Sequence, residues 1–150
     1  LEFYATVFTA SASAFDAASI FKGKQACLDS IEAIAAMGRN ATAKDKDRSD
    51  VFEIAYEMYA RGFEFGKPAL GVSDGVRFTV SDGKVIPAFS ALEGLGESAA
   101  RSLVEAYREK PFDTVEEAVT RAKLNKTAVE SLRKYGAFDG MQETDQLCFL

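Results

Sequence analysis

The tripeptide Gly94-Leu95-Gly96 is the feature that most restricts how this chain can fold. Two glycines around one apolar residue allow a tight turn whose backbone can come very close to another group. Apolar residues at helical spacing follow and predict a helix over about 97–108. The turn would therefore place the first N–H groups of a helix, with their partial positive charge, beside the glycines. This arrangement suits a phosphate oxygen and would contact a nucleic-acid backbone without reading bases.

A weak copy of the pattern occurs 29 positions downstream, where Leu124 aligns with Leu95. The same offset also pairs Gly96 with Asn125, Ala99 with Ala128, Ala100 with Val129, and Leu103 with Leu132. The second copy has no glycine; Lys123 and Lys126 lie on either side of its turn. We expect it to use side-chain charge and polar donors where the first copy uses backbone. Together the two copies predict a compact helical domain with two phosphate-binding turns, one for each strand across a minor groove.

Ten residues are the predicted contacts with the backbone of duplex DNA. They are Gly94, Leu95, Gly96, Ser98, Ala99, Arg101, Lys123, Asn125, Lys126 and Thr127. Two other interpretations of the pattern stay open. A lone Gly-x-Gly before a helix is often only a tight turn, and paired helical hairpins also serve as protein-interaction modules.

The overall charge does not by itself favour a nucleic-acid partner. The chain has 150 residues and a formal net charge of −5, and acidic proteins repel phosphate. The charge is uneven, however. Residues 94–136 carry eight basic and seven acidic side chains, whereas residues 137–150 carry only acidic ones. The stretch with the two turns is thus the least acidic part, which permits backbone binding without requiring it.

Several classes of site are excluded by composition. There is no histidine, so imidazole bases and histidine-ligated metals are impossible. Cys27 and Cys148 are far apart and outside any CxxC pattern, which argues against a disulfide framework or a thiolate metal site. No apolar run is long enough to span a bilayer and no signal peptide is present, so we expect a cytoplasmic protein. Leu1 is not a start methionine, and we expect a piece of a larger chain.

The first 65 residues have a helical pattern. Apolar residues at helical spacing predict a helix over about 23–37 that ends at Gly38. The polar stretch 39–50 is expected to be a loop or a helix entry. Ser49 or Asp50 is the predicted cap of a second helix that ends near Gly62. These two helices would form a helical hairpin.

The fold class follows from the remaining patterns. Val76, Phe78 and Val80 alternate with polar residues before Asp82-Gly83, which predicts a short β-hairpin. Further on, Asp113 with Glu116 is the predicted capped start of a helix to about Ala122, and Asn125 that of a helix closed by Gly136. The prediction is a mainly α chain with a small β-hairpin. Its parts are a helical region (1–65), a linker with the β-hairpin (66–86), a tandem helix-hairpin-helix module (87–140) and a flexible tail (141–150).

Six stretches, in this order, resemble the C-terminal region of the PolC-type bacterial DNA polymerase III alpha chain. They are residues 1–5, Gly38 to Lys46, Glu53 to Phe65, Ile86-Pro87-Ala88-Phe89, the turn at Gly94, and the last five residues. The resemblance implies that residues 1–65 are the end of the polymerase fingers. It implies that residues 87–140 are the tandem helix-hairpin-helix module that holds newly made duplex during DNA replication.

The resemblance also assigns a role to the terminal pentapeptide. The family carries there a sliding-clamp-binding motif of the form Gln-Leu-x-Leu-Phe, and this chain has the last two residues exchanged. The residues implied to bind the clamp are Gln146, Leu147, Phe149 and Leu150. Gln146 would supply a polar anchor, and the three apolar side chains would fill pockets on the clamp. The alternative is an apolar chain end without a partner.

The resemblance implies nucleotidyl transfer for the parent protein, with metal ions, expected to be Mg²⁺, held by aspartates of its palm domain. No part of this chain resembles that palm motif. We therefore expect the chain to be inactive alone, and we assign it no catalytic, metal or cofactor residue. A helix-hairpin-helix repair glycosylase is an alternative, because those enzymes also use a Gly-x-Gly hairpin. They need a catalytic aspartate in a base-flipping pocket, and neither the β-hairpin nor the terminal pentapeptide fits them.

Overall fold

The computed structural model describes residues 1–144, which are mostly helical with one β-hairpin. The predicted fold class is therefore confirmed. The helices are α1 (Glu2–Ala10), α2 (Ala17–Ile20), α3 (Lys24–Met37), α4 (Ala43–Ala60), α5 (Glu97–Glu109), α6 (Val115–Ala122) and α7 (Lys126–Lys134). The strands are β1 (Thr79–Ser81) and β2 (Lys84–Ile86), and three single 3₁₀ turns span Ala12–Ala14, Gly38–Asn40 and Phe89–Ala91. None of the helices in residues 1–144 has the length and apolar character needed to cross a bilayer.

The described residues form two compact units. The first contains Leu1–Gly66 and Phe78–Ile86, and the second contains Lys67–Arg77 together with the described residues from Pro87 onward. The structure thus divides the predicted linker, residues 66–86, between the two units. The division has a physical cause, since each half of this segment makes backbone hydrogen bonds within its own unit.

The first unit is built around an aromatic core. The ring of Phe8, which has no exposed surface, lies 5.4 Å from the ring of Phe15, 5.3 Å from Phe65 and 5.6 Å from Phe78. The hydroxyl oxygen of Thr9 accepts a hydrogen bond of 2.8 Å from the backbone N–H of Phe78. Aromatic rings bury large apolar areas, so the β-hairpin that begins after Phe78 is anchored on α1.

Helix α4 begins earlier than the sequence pattern predicted. The hydroxyl oxygen of Thr42 accepts the N–H of Asp45 at 3.1 Å, and the Asp45 carboxylate accepts the N–H of Thr42 at 3.0 Å. This capping box starts the helix at Ala43. The predicted cap at Ser49 or Asp50 is therefore wrong. Of the two expectations for residues 39–50, a loop or a helix entry, the structure shows the helix entry. The pattern did not give the start of α4 because its first turns have little apolar surface to bury. The predicted α3, its end at Gly38 and its pairing with α4 are confirmed.

The β-hairpin is confirmed, including its turn. Asp82 and Gly83 have φ values of +51° and +73°, and two successive positive φ angles are the requirement of a type I′ turn. The strands pair in antiparallel register with Val80 opposite Val85. The N–H of Gly66 donates to the carbonyl of Val85 at 2.8 Å.

The second unit contains α5, α6 and α7 around buried Leu103 and Leu132. Helix α6 begins one residue later than predicted. The hydroxyl oxygen of Thr114 accepts the N–H of Glu117 at 3.0 Å, so Thr114 is the cap and the predicted capping box at Asp113 is wrong. Asp and Thr both cap helices well. Thr114 is the cap here because it directly precedes Val115, which is buried.

The start of the predicted flexible tail is bound to the second unit. The N–H of Val115 donates to the carbonyl of Gln142 at 2.9 Å, and the N–H of Glu116 donates to that of Glu143 at 3.0 Å. The guanidinium of Arg133 binds both oxygens of the Glu143 carboxylate. Gln142 and Glu143 are polar and gave no signal of structure in the sequence, but their backbone carbonyls accept the first two N–H groups of α6. The predicted clamp-binding residues Gln146, Leu147, Phe149 and Leu150 lie outside the described residues.

Candidate nucleic-acid interface

The two predicted turns share one backbone conformation. We call Gly94–Gly96 the first hairpin and Lys123–Asn125 the second hairpin. Each begins with a left-handed residue, at φ +77° for Gly94 and φ +56° for Lys123. Each ends in an extended residue that caps the next helix, with φ and ψ of −69° and 169° at Gly96 and −85° and 173° at Asn125. The weak sequence repeat therefore corresponds to a repeated local structure.

The leucine at the centre of each hairpin is buried. Leu95 is 2% exposed and Leu124 is 8% exposed. The N–H of Leu95 donates to the carbonyl of Leu92 at 3.2 Å, and the N–H of Leu124 donates to that of Val119 at 3.1 Å. Burial of one apolar side chain per turn fixes each hairpin on the core of the unit. The second hairpin follows the helix α6, whereas the first follows only the 3₁₀ turn Phe89–Ala91.

The two glycines of the first hairpin have different surroundings, although the sequence predicted one role for both. A Cβ atom added at Gly94 would lie 2.4 Å from Cγ2 of Thr127. A Cβ atom added at Gly96 would meet no atom within 4 Å among those described. Gly94 is therefore required by its positive φ and by the packing of Thr127, whereas Gly96 has an open face that another molecule can approach.

Helix α5 begins without a side-chain cap. Gly96 supplies none, and the first backbone bond of the helix runs from the N–H of Ala100 to the carbonyl of Gly96 at 2.9 Å. Gly96 and Ser98 are exposed and Ala99 is half-buried. The first turn also contains the acidic Glu97, whose carboxylate accepts a hydrogen bond of 2.7 Å from Nη2 of Arg101. The residues of this turn are thus exposed or half-buried, but the predicted contact Arg101 is already paired.

The charges at the start of helix α7 favour an anion more than those at the start of α5. Its first turn has no acidic residue, and Lys123 and Lys126 are exposed and make no ion pair with any described residue. The side-chain oxygen Oδ1 of Asn125 accepts the N–H of Ala128 at 2.8 Å, which confirms the predicted cap and leaves the side-chain nitrogen Nδ2 as a donor. The methyl group of Thr127 faces Gly94. The second hairpin thus presents two cations where the first presents backbone.

Other cations of the second unit are engaged elsewhere. The guanidinium of Arg121 donates to the carbonyls of Lys110 at 2.7 Å and Ala106 at 2.6 Å. These hydrogen bonds satisfy carbonyl groups at the C-terminal end of α5. Lys134 lies 3.7 Å from Glu93. The structural role of Arg121 was missed, and only its spacing of four residues from Glu117 hinted that it was paired. Across residues 1–144, no group of three or more His, Cys, Asp or Glu side chains is placed to hold a metal ion.

Comparison with known sequences agrees with this geometry. A family model described as a helix-hairpin-helix motif matches residues 62–147, which is more than half of the chain. The chain is 38% identical over 145 residues to the DNA polymerase III PolC-type of Clostridium perfringens, covering 97% of this chain and 10% of that protein. It is 39% identical over 145 residues to the protein of the same name from Halalkalibacterium halodurans, with 97% and 10% covered.

A third relative, the DNA polymerase III PolC-type of Thermotoga petrophila, is 38% identical over 149 residues, which covers 97% of this chain and 11% of that protein. The chain spans about a tenth of the length of these curated relatives. All three of these relatives bear the name of a DNA polymerase. The chain belongs to the helix-hairpin-helix family and is homologous to a region of PolC-type DNA polymerase III.

Proposed function

We propose that the second unit binds the sugar-phosphate backbone of duplex DNA without reading its sequence. The observation that carries this proposal is the repeated hairpin. Two turns of the same backbone conformation each lead into the N-terminus of a helix, and each has exposed residues at that end. Helix N-termini favour anions through free N–H groups and the helix dipole. Contacts of this kind hold phosphates and carry no base information.

The two hairpins would contribute in different ways. At the first hairpin the open face of Gly96 allows a phosphate oxygen to approach the N–H groups of Ser98 and Ala99. At the second hairpin the ammonium groups of Lys123 and Lys126 and the amide nitrogen of Asn125 supply charge and donors. The side chain of Leu95 is buried and anchors the first hairpin on the core of the unit. Leu95 would therefore contact DNA only through its backbone. On binding, the guanidinium of Arg101 would leave the carboxylate of Glu97 and pair with a phosphate.

The parent protein that we propose is a replicative DNA-directed DNA polymerase of the cytoplasm, since the relatives bear the name DNA polymerase III PolC-type. Nucleotidyl transfer and its Mg²⁺ ions would belong to other parts of that protein, and this chain would have no catalytic residue. Its contribution would be to hold product duplex so that the polymerase dissociates less often.

We also propose that the terminal pentapeptide tethers the chain to the sliding clamp. Gln146, Leu147, Phe149 and Leu150 would be the contacts. Weak duplex contacts and a tethered clamp would reinforce each other through effective concentration. Surface plasmon resonance on an immobilised bacterial sliding clamp tests this proposal. The full chain is expected to bind and a chain ending at Thr144 is not; equal binding by the two chains would contradict it.

Fluorescence anisotropy with two labelled duplexes of unrelated sequence tests the DNA proposal. We expect weak binding at low salt, with similar affinity for both duplexes and a steep loss as salt rises. A clear preference for one sequence, or no binding to either duplex at low salt, would contradict it. A cleavage assay on damaged duplex separates this function from that of a repair enzyme, because the proposed function predicts no product.

A further inference from the structure

The first hairpin is seated on the helix that follows the second hairpin. Gly94 lies so close to Thr127, at the start of α7, that a Cβ atom would come within 2.4 Å of the threonine methyl and 3.1 Å of its Cβ. The neighbouring Glu93 reaches the other end of the same helix, where its carboxylate accepts a hydrogen bond from the hydroxyl of Tyr135. The first hairpin is therefore fixed to both ends of α7.

A reciprocal contact fixes the second hairpin to α5. The hydroxyl of Ser102, on α5, donates to the carbonyl of Ala122 at 3.0 Å. Ala122 is the last residue of α6 and directly precedes Lys123. Each hairpin is thus held by the helix that follows the other one. We call these two contacts, Gly94 with Thr127 and Ser102 with Ala122, the hairpin clasp.

The contact between Gly94 and Thr127 is suited to hold the two hairpins at a fixed distance from each other. Threonine is branched at Cβ and has few allowed χ1 rotamers, so its methyl group is a stiff spacer. Glycine opposite it leaves room for contact at the backbone. The repeat does not preserve this pair, because the 29-residue offset places Lys123 at the position of Gly94 and Ser98 at that of Thr127. The contact is therefore not simply a consequence of the repeated structure.

We propose that Thr127 is a positioning residue, whose methyl group sets the spacing of the two hairpins so that both bind one duplex at the same time. This inference rests on the proposed duplex binding. Two weak phosphate contacts on a rigid frame act with high effective concentration, whereas the gain is lost if the geometry does not match the duplex. The sequence predicted Thr127 as a hydroxyl donor to phosphate. In the structure the methyl group of Thr127 contacts Gly94, a role that the sequence did not indicate.

Two substitutions separate the methyl group from the hydroxyl. Thr127→Ser keeps the hydroxyl and removes the methyl, and Thr127→Val does the reverse. We expect Thr127→Ser to weaken duplex binding about tenfold and to flatten the dependence of affinity on salt, because one hairpin then binds without the other. Thr127→Val, which keeps the methyl group, is expected to lose less affinity than Thr127→Ser and to retain the original salt dependence. A merely destabilised chain would have a smaller active fraction with an unchanged salt dependence.

The opposite result would overturn the inference. If Thr127→Val loses affinity and Thr127→Ser keeps it, the hydroxyl binds phosphate and the positioning role is wrong. If Thr127→Ser lowers affinity but the salt dependence is unchanged, the loss comes from folding and the inference also fails.

A measurement without DNA distinguishes failure of the clasp from failure of the proposed function. Urea unfolding of Gly94→Ala, Thr127→Ser and the double variant forms a double-mutant cycle. Serine removes the methyl group that an alanine at position 94 would strike. The double variant is therefore expected to be more stable than the sum of the single effects predicts. Additive effects would show that the contact is not made. If the two substitutions are coupled in unfolding but the chain binds no duplex, the contact is real and the proposed function is wrong. The positioning role would then fail together with the proposed function.

Discussion

The carboxylate of Glu97 accepts two hydrogen bonds from the guanidinium of Arg101, 2.7 Å from Nη2 and 3.2 Å from Nε. Both residues lie in the first two turns of α5, directly after the first hairpin. Both side chains are more than half exposed, so the pair adds little to stability. Its consequence concerns binding, because it places a negative charge where a phosphate is proposed and engages a cation that a phosphate could use.

Replacement of Glu97 by glutamine is expected to strengthen duplex binding. The change removes the anion at the helix N-terminus and releases Arg101, and charges at this position contribute about 0.3–1 kcal/mol. Affinity at low salt should rise about two- to fivefold, measured by fluorescence anisotropy. Glu105→Gln is the matched control, since it removes the same charge from an exposed residue two turns further along α5. An equal rise in both variants would indicate a general charge effect and contradict the specific site.

Substitution of Gly96 by alanine separates ligand approach from folding. Gly96 has a φ of −69° and no described neighbour within 4 Å of an added Cβ, so alanine fits the folded chain. The loss of unfolding free energy should be about 1 kcal/mol or less, measured by urea denaturation. Duplex affinity should fall about tenfold or more, because a methyl group blocks the phosphate from the N–H groups. Unchanged affinity in this variant would mean that no backbone lies against Gly96.

The contact between Arg133 and Glu143 should respond to acid. The hydrogen bonds from Arg133 lower the pKa of Glu143 and raise the pKa of Arg133. The folded chain therefore keeps the Glu143 carboxylate ionised to a lower pH than the unfolded chain does. The stabilisation is complete above the ordinary carboxylate pKa of 4.5 and is lost as the pH falls through the lowered value.

Amide NMR resonances report this transition at a defined place. The N–H of Glu116 donates to the carbonyl of Glu143, so its chemical shift is expected to change as the pH falls below 4.5. In Glu143→Gln that change should be smaller, because the amide side chain at position 143 does not titrate. A step of the same size in the variant would show that another carboxyl group causes it.

Local patterns in the sequence predicted much of this fold. The bounds of α3, the turn at Asp82-Gly83 and the Asn125 cap were correct because each depends on neighbouring residues only. The start of α4 was missed, since its first turns are polar and their capping box at Thr42 lies outside any apolar period. The binding of Gln142 to α6 could not be predicted, because it depends on residues that are far apart in the chain.

The candidate site was predicted in outline only. The repeat located both hairpins and the exposed lysines of the second one. It did not distinguish Gly94 from Gly96, because their different roles depend on which of them contacts Thr127. Nor did it show that Arg101 is paired with Glu97 while Arg121 closes the end of α5. The spacing of four residues between Glu97 and Arg101 permits their pairing on a helix. The contact of Gly94 with Thr127 and those of Arg121 with α5 are tertiary, and a pattern of residue types does not specify them.

The salt dependence of duplex binding tests the central claim most directly. Each neutralised phosphate contributes a slope of about −0.9 to the logarithm of the association constant against the logarithm of salt concentration. Conversion of both Lys123 and Lys126 to glutamine should reduce the magnitude of this slope by about 1.8. Arg108→Gln with Lys110→Gln is the control, because it removes two exposed cations outside the hairpins, and its slope should match that of the unmodified chain. An unchanged slope for the hairpin variant, or an equal reduction in both, would contradict phosphate binding by the second hairpin.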